Sequence, residues 1–180
     1  MKALLALILV PLLVTTAASA APGETNVADC DQTAGGPVPN WRSASDVAGP
    51  LGILDNTLQH ASRTHNGQFV AKMPLVVEGR ETVTLSVPPG LRSRVFLYYG
   101  RIIGRDGQPT TSFTESGGYS ATEFRPCDRG TSAWPGGMRV KGAAPVHLTV
   151  TVEGRPGSIP LRLGRPKVPA TKSVGSDRLS

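Results

Sequence analysis

Residues 146–152 read Val-His-Leu-Thr-Val-Thr-Val. Val146, Leu148, Val150 and Val152 alternate with His147, Thr149 and Thr151, the period of two that gives a strand one oily and one wet face. Gly154 and Gly157 bracket a turn, and Ile159, Leu161 and Leu163 then resume the alternation. The two runs predict an antiparallel hairpin with one apolar face.

Working outward, the same period recurs. Val83, Leu85 and Val87 alternate with Thr82, Thr84 and Ser86, and Phe69, Met73, Leu75, Val76 and Val77 precede them across a turn at Glu78-Gly79-Arg80. These two runs predict a second hairpin, stopped by Pro88-Pro89-Gly90 because proline cannot donate to a ladder. Residues 94–103 form the next candidate, with Val95, Leu97 and Tyr99 on one face and Phe96 and Tyr98 on the other. Residues 119–125 read as a strand ending at Pro126-Cys127, and residues 134–141 as one interrupted by Gly136-Gly137. Trp41 leads to a short strand and a turn at Gly49-Pro50, and Leu54 and Leu58 suggest a helical turn within residues 54–63. About seven short strands with turn signals between them predict an all-β fold, a single antiparallel β-sandwich (immunoglobulin-like). The alternative is a small β-barrel.

The 180 residues hold 21 glycines and 16 prolines, too many for long helices. At the N-terminus Lys2 is followed by an apolar run over residues 3–10, Pro11, Leu12 to Val14, and Ala18-Ser19-Ala20. This is the pattern of a secretory signal peptide over residues 1–20 with a small-x-small cleavage site. Residues 21–40 read as an extended lead-in, 41–164 as the sandwich, and 165–180 as a disordered basic tail. The expected destination is therefore secreted, extracellular, with no stable membrane anchor after cleavage.

Without Lys2 the chain has 18 Lys and Arg against 13 Asp and Glu, a net charge of +5. Arg165, Lys167, Lys172 and Arg178 against Asp177 place +3 of that in the tail. The body carries only +2, so the basic balance does not indicate a nucleic-acid partner. Cys30 and Cys127 are the two cysteines. In an oxidising compartment they predict one disulfide closing a loop of about 100 residues, worth roughly 4–5 kcal/mol on chain entropy.

Trp41-Arg42 leading to Ala48-Gly49-Pro50-Leu51-Gly52, residues 72–77 followed by 83–88, Phe124-Arg125-Pro126-Cys127, and Gly136-Gly137 before Val140 form a joint pattern. In these segments the chain resembles a group of uncharacterised small secreted proteins of GC-rich bacteria, to which no function is assigned. The resemblance spans residues 30–152 and implies a compact exported domain with no assigned catalytic residues. Chains of that group place a further cysteine near the position of Ala144, so no second disulfide carries over.

Catalytic signatures are sparse. No Gly-x-Ser-x-Gly elbow occurs, and Ser116 in Glu115-Ser116-Gly117-Gly118 reads as part of a loop. His60 and His65 lack the spacing of a zinc pair, and His147 alternates opposite the oily residues and is expected to face solvent. Phosphate-binding and dinucleotide glycine motifs are missing. Glu78, Glu81, Glu115, Glu123 and Asp128 could pair only through the fold.

Arg92, Arg94, Arg101 and Arg105 flank the strand at residues 95–99 and are the candidate anion-binding residues, with Tyr98 beside them. Their structural role would be to solvate the strand's outer face. Trp41 and Trp134 read as core residues. The sequence is thus read as a noncatalytic, monomeric extracellular or cell-envelope binding or structural module with no cofactor or metal. Its ligand would lie outside the cell or in the envelope. Alternatives are a basic adhesion module for anionic wall polymer or a membrane surface, and an extracellular hydrolase without a recognisable motif.

Overall fold

A computed structural model describes residues 24–34, 38–54, 58, 61–63, 67–101, 117–128 and 130–166. These residues form an all-β sandwich. In one layer, β1 (Thr25–Ala28), β9 (Ala121–Phe124), β7 (Val83–Ser86), β12 (Val146–Val152) and β13 (Ile159–Gly164) lie side by side in that order. All pairs are antiparallel except β1 with β9.

The facing layer has two halves. One orders β10 (Thr131–Trp134), β6 (Leu75–Glu78), β3 (Leu51–Leu54) and β2 (Ser45–Ala48). The other orders β4 (Ser62–Arg63), β5 (Gln68–Lys72), β11 (Gly136–Lys141) and β8 (Val95–Tyr99). They are continuous in chain direction, since β5 runs into β6 and β10 into β11. Lys72 pairs with Gly137 on one side of the join and Leu75 with Trp134 on the other.

At the join stand Pro74 and Pro135, which have no N–H to give the ladder. The Met73 N–H donates to the Gly136 carbonyl at 2.9 Å and bridges the gap. The buried Tyr99 hydroxyl donates to the Met73 carbonyl at 2.9 Å. Burial pushes the Tyr99 phenol well above its ordinary range, so it stays a donor. The sequence placed this break at Gly136-Gly137. Both glycines instead lie inside β11, where a Cβ on Gly137 would fall 2.0 Å from the Ala71 carbonyl oxygen.

The core is the alternating inner residues of both layers. Val83 and Leu85 of β7, Val95 and Leu97 of β8, and Leu148 and Val150 of β12 follow the period of two, each at 1% exposure or less. Tyr99, Phe124 and Trp134 stack edge to face at 5.5 and 5.1 Å between centroids. A second, smaller cluster of Trp41, Val76 and Ala133, with Val38 and Leu54, lies on the other face of β6. This explains why Leu75, Val76 and Val77 are apolar in succession: β6 is covered on both faces.

Several expectations change. The sheets end in open edges, so the chain is not a barrel. The hairpin at residues 69–87 does not form. β6 pairs with β3 and β10, whereas β7 pairs with β9 and β12, so the chain crosses between layers at residues 79–82. Gly79, at φ +99°, supplies a turn conformation that side chains resist. The lead-in contributes a true strand, β1. Of residues 54–63, Leu54 ends β3 and Ser62–Arg63 form β4, while most of the expected helical turn lies outside the described residues. The β12–β13 hairpin stands as read, with a register shift at Val146 and His147.

Candidate functional site: the cationic outer face of β8, β11 and β5

Cys30 and Cys127 are joined, with Cα atoms 5.0 Å apart. They lie just past the ends of the parallel pair β1 and β9, so the bond ties neighbours within one layer. In immunoglobulin domains the corresponding bridge crosses between layers. Nearby, Trp134 Nε1 donates to the Asp29 carbonyl at 3.0 Å, and Arg125 pairs with Glu123 and Asp29.

The opposite region carries the distinctive chemistry. In β4, β5, β11 and β8 the sequence has Arg63, Lys72, Arg139 and Lys141 and no acid. In β10, β6, β3 and β2 it has Asp46 and Glu78 and no Lys or Arg. One layer is therefore divided by sign at its proline join.

Alternation sorts the basic half into faces. Val95, Leu97 and Tyr99 of β8, Met138 and Val140 of β11, and Phe69 and Ala71 of β5 are buried in the core. Phe96, Tyr98, Arg139, Lys141, Val70 and Lys72 are left on the outer side. Register makes a grid of these. Tyr98, Gly137 and Lys72 form one row, and Phe96, Arg139 and Val70 the next. In the third row the Lys141 N–H donates to the Arg94 carbonyl at 2.7 Å, and Gln68 pairs with Lys141.

Phe96 is the base plate of this grid. The Arg139 guanidinium carbon lies 4.9 Å from its ring centroid and 5.5 Å from that of Tyr98, and Lys141 Nζ lies 5.2 Å from Phe96. These are cation–π distances, and they hold both cations above the sheet. Tyr98 is buried although it faces outward, because the chain returns over it. Tyr119 bridges to Leu97, and a Cβ on Gly118 would fall 2.8 Å from the Tyr98 ring. Arg139 Nη2 donates to the Gly117 carbonyl at 3.4 Å.

The sequence candidates distribute unevenly around this grid. Arg94 belongs to it and donates from Nη2 to the Ala144 carbonyl at 3.1 Å. Arg92 turns back, its Nε donating to the Val87 carbonyl at 3.2 Å. Arg101 lies beyond the far end of β8, where its backbone N–H donates to Gln32 Oε1 at 3.0 Å. The five residues of β8 and Gly100 separate it from Arg94, roughly 20 Å along the chain. Arg105, His60, His65 and Ser116 lie outside the described residues.

Sequence reading missed Arg139 and Lys141, which stand 43 or more positions from Phe96 and meet it only through register. His147 is exposed on the opposite layer, and Trp41 and Trp134 are buried. Other surface features are less focused. A depression of about 510 Å³ beside Trp41 is edged by the Arg42–Glu78 ion pair. Another, of about 360 Å³, sits over Thr82, Thr84, Glu123, Arg125 and Glu153 on the first layer. Among the described residues no group of three His, Cys, Asp or Glu could hold a metal, and no helix is long and apolar enough to cross a membrane. Comparison with protein-family models, curated proteins and solved structures finds no match.

Proposed function

We propose that this chain is an exported, noncatalytic binding module whose contact surface for an anionic polymer of the cell envelope is the outer face of β8, β11 and β5. The reading rests on one observation, the separation of charge within a single layer. Cations scattered to keep a protein soluble would mix with acids, as they do around Arg125 and Arg155. Here Lys72, Arg139 and Lys141 lie on the outer side of strands whose sequence holds no acid, which raises a positive potential over one face.

A flat basic face suits an extended partner. Each charge is screened by water and salt, so a single contact contributes little and affinity must come from several at once. The leader supports a location where anionic polymers are encountered, and the tail at residues 165–180 adds +3 to the same attraction. No cofactor, metal or nucleic acid enters this reading.

Binding of the mature chain to immobilised polyanions, measured from about 20 to 200 mM salt, tests it. Affinity is expected to fall steeply across that range. Lys141→Glu with Arg94→Glu should abolish retention while Arg162→Glu, on the other layer, leaves it. Retention that ignores salt, or an equal effect of all three changes, overturns the proposal.

A further inference from the structure

We infer that the outer face of the first layer, where β9, β7 and β12 lie side by side, carries a second binding site, for the hydroxyl-bearing edge of a neutral polysaccharide. The site is separate from the basic face proposed above and does not depend on it.

Outward positions here alternate with the buried Val83, Leu85, Val150 and Val152. Wherever β7 and β12 pair, the outward residue is a hydroxyl: Thr84 beside Thr151, and Ser86 beside Thr149. Register extends the first of these pairs to Glu123 of β9, which lies opposite Thr84. Just past the strand ends, the Glu153 N–H donates to the Thr82 carbonyl at 2.9 Å and starts a second row. Thr82, Thr84, Glu123, Arg125, Thr151 and Glu153 thereby supply the polar walls of one depression of about 360 Å³.

The charges around it are committed, except one. Arg125 Nε donates to Glu123 Oε1 at 2.8 Å, and its Nη1 reaches Asp29 at 3.5 Å. Arg155, next in sequence after Gly154, is held by both carboxylate oxygens of Glu81 at 2.6 Å. Among the described residues, the Glu153 carboxylate and the hydroxyls of Thr82, Thr84 and Thr151 have no hydrogen-bond partner.

A hydroxyl both donates and accepts, whereas a carboxylate only accepts. A ligand that satisfies both must itself donate and accept at short intervals, as the neighbouring hydroxyls of a sugar do. An anion would be repelled by Glu153. A cation would find one uncommitted carboxylate, because Glu123 is paired with Arg125 and its backbone stands two strand spacings, roughly 10 Å, from β12. None of the lining residues is aromatic, so recognition is by hydrogen bonds to the edge of the sugar and not by stacking on its face. A row that crosses three strands suits a run of sugar rings better than a single small molecule.

The test titrates the full, isotope-labelled chain with maltohexaose, cellohexaose and chitohexaose in turn and follows its amide resonances. At least one is expected to move the amides of residues 82–84, 123–125 and 151–153 together, with a dissociation constant of about 0.1–1 mM, as a few exposed hydrogen bonds allow. Thr84→Val with Thr151→Val keeps the branched shape and strand preference while deleting two hydroxyls. It should weaken binding about tenfold without lowering the melting temperature, and Thr149→Val, outside the depression, should leave affinity unchanged. Glu153→Gln, at an exposed position, should also weaken binding about tenfold and carries the test if the double variant does not fold. Because the ligand is neutral, affinity should hold within about twofold from about 20 to 200 mM salt, where the basic face loses its polyanion. No response at these residues to any of the three sugars overturns the site and leaves the polyanion reading as it was. Affinity unchanged by the Thr84, Thr151 and Glu153 substitutions overturns it too. A stronger response of the same amides to spermidine than to any sugar overturns it in favour of a cation.

Discussion

Gly137 sets how closely β11 can approach β5. A side chain there would begin 2.0 Å from the Ala71 carbonyl oxygen, and both backbones are held in the ladder by the pairing of Met138 with Ala71. Neither strand can withdraw without breaking its neighbours, so Gly137→Ala is expected to cost about 2–3 kcal/mol. Urea denaturation should show a lower midpoint at unchanged slope. Asp46 is a second single-residue test. It shares the inward face of β2 with the buried Ala48 and pairs with the fully buried Ile53, and its Oδ2 is enclosed with no hydrogen-bond partner. Burial raises the pKa of this carboxyl above the ordinary carboxylate value. The folded chain therefore holds the proton more tightly than the unfolded chain. Ionisation costs stability above the folded pKa, and that cost is relieved as pH falls through it. Asp46→Asn should raise stability at neutral pH by up to about 1 kcal/mol, with the difference from the parent closing below about pH 4. A gap that widens on acidification would contradict this.

Among the elements, β1 depends most on a covalent tie. It is an edge strand four residues long, paired to β9 in parallel, and parallel neighbours cannot be joined by a tight turn. Its other links are the Asn26 side-chain amide on the Tyr99 carbonyl and the Arg125 N–H on the Ala28 carbonyl. Cys30→Ser with Cys127→Ser is expected to lose up to about 4–5 kcal/mol. Hydrogen exchange should quicken first in residues 25–28, before β7 or β12; uniform loss of protection would show that the disulfide supports the whole sandwich equally. The elements also show which features a sequence makes legible. β12 and β13 were readable because alternation and turn glycines are local properties of neighbouring residues. The mistaken hairpin of β6 with β7 had the same local signals, but a strand's partner is set by whichever sheet buries its oily face. β1 carries too few apolar residues to show a period, and its place follows from pairing 96 positions away. For the same reason Arg94 was visible as a candidate beside Phe96, whereas Arg139 and Lys141 became part of the site only through cross-strand register.

At the scale of the molecule, two opposing electrostatic effects compete, and their balance is measurable. Exposed ion pairs join Arg42 to Glu78, Arg125 to Asp29 and Glu123, and Arg155 to Glu81, with most of these side chains about half exposed. Such pairs contribute about 0–1 kcal/mol each and weaken as salt is added. Against them stand the net positive charge of the chain and the concentrated repulsion of the basic half-layer, which salt also weakens. The ion pairs lie at separate points on the surface, and each already loses most of its Coulomb attraction to water. The basic half-layer sums several like charges over one face, with no acid in its strands to offset them. Repulsion should therefore dominate, and raising sodium chloride from about 10 to 150 mM, where the Debye length drops to about 8 Å, should stabilise the protein by roughly 0.5–1 kcal/mol. Urea, being uncharged, is the denaturant that lets this be read. A loss of stability over the same range would mean that the ion pairs outweigh the basic face. The double change of Lys141→Gln with Arg94→Gln identifies the source, because it should remove most of the salt-dependent gain if the repulsion resides where β8 meets β11.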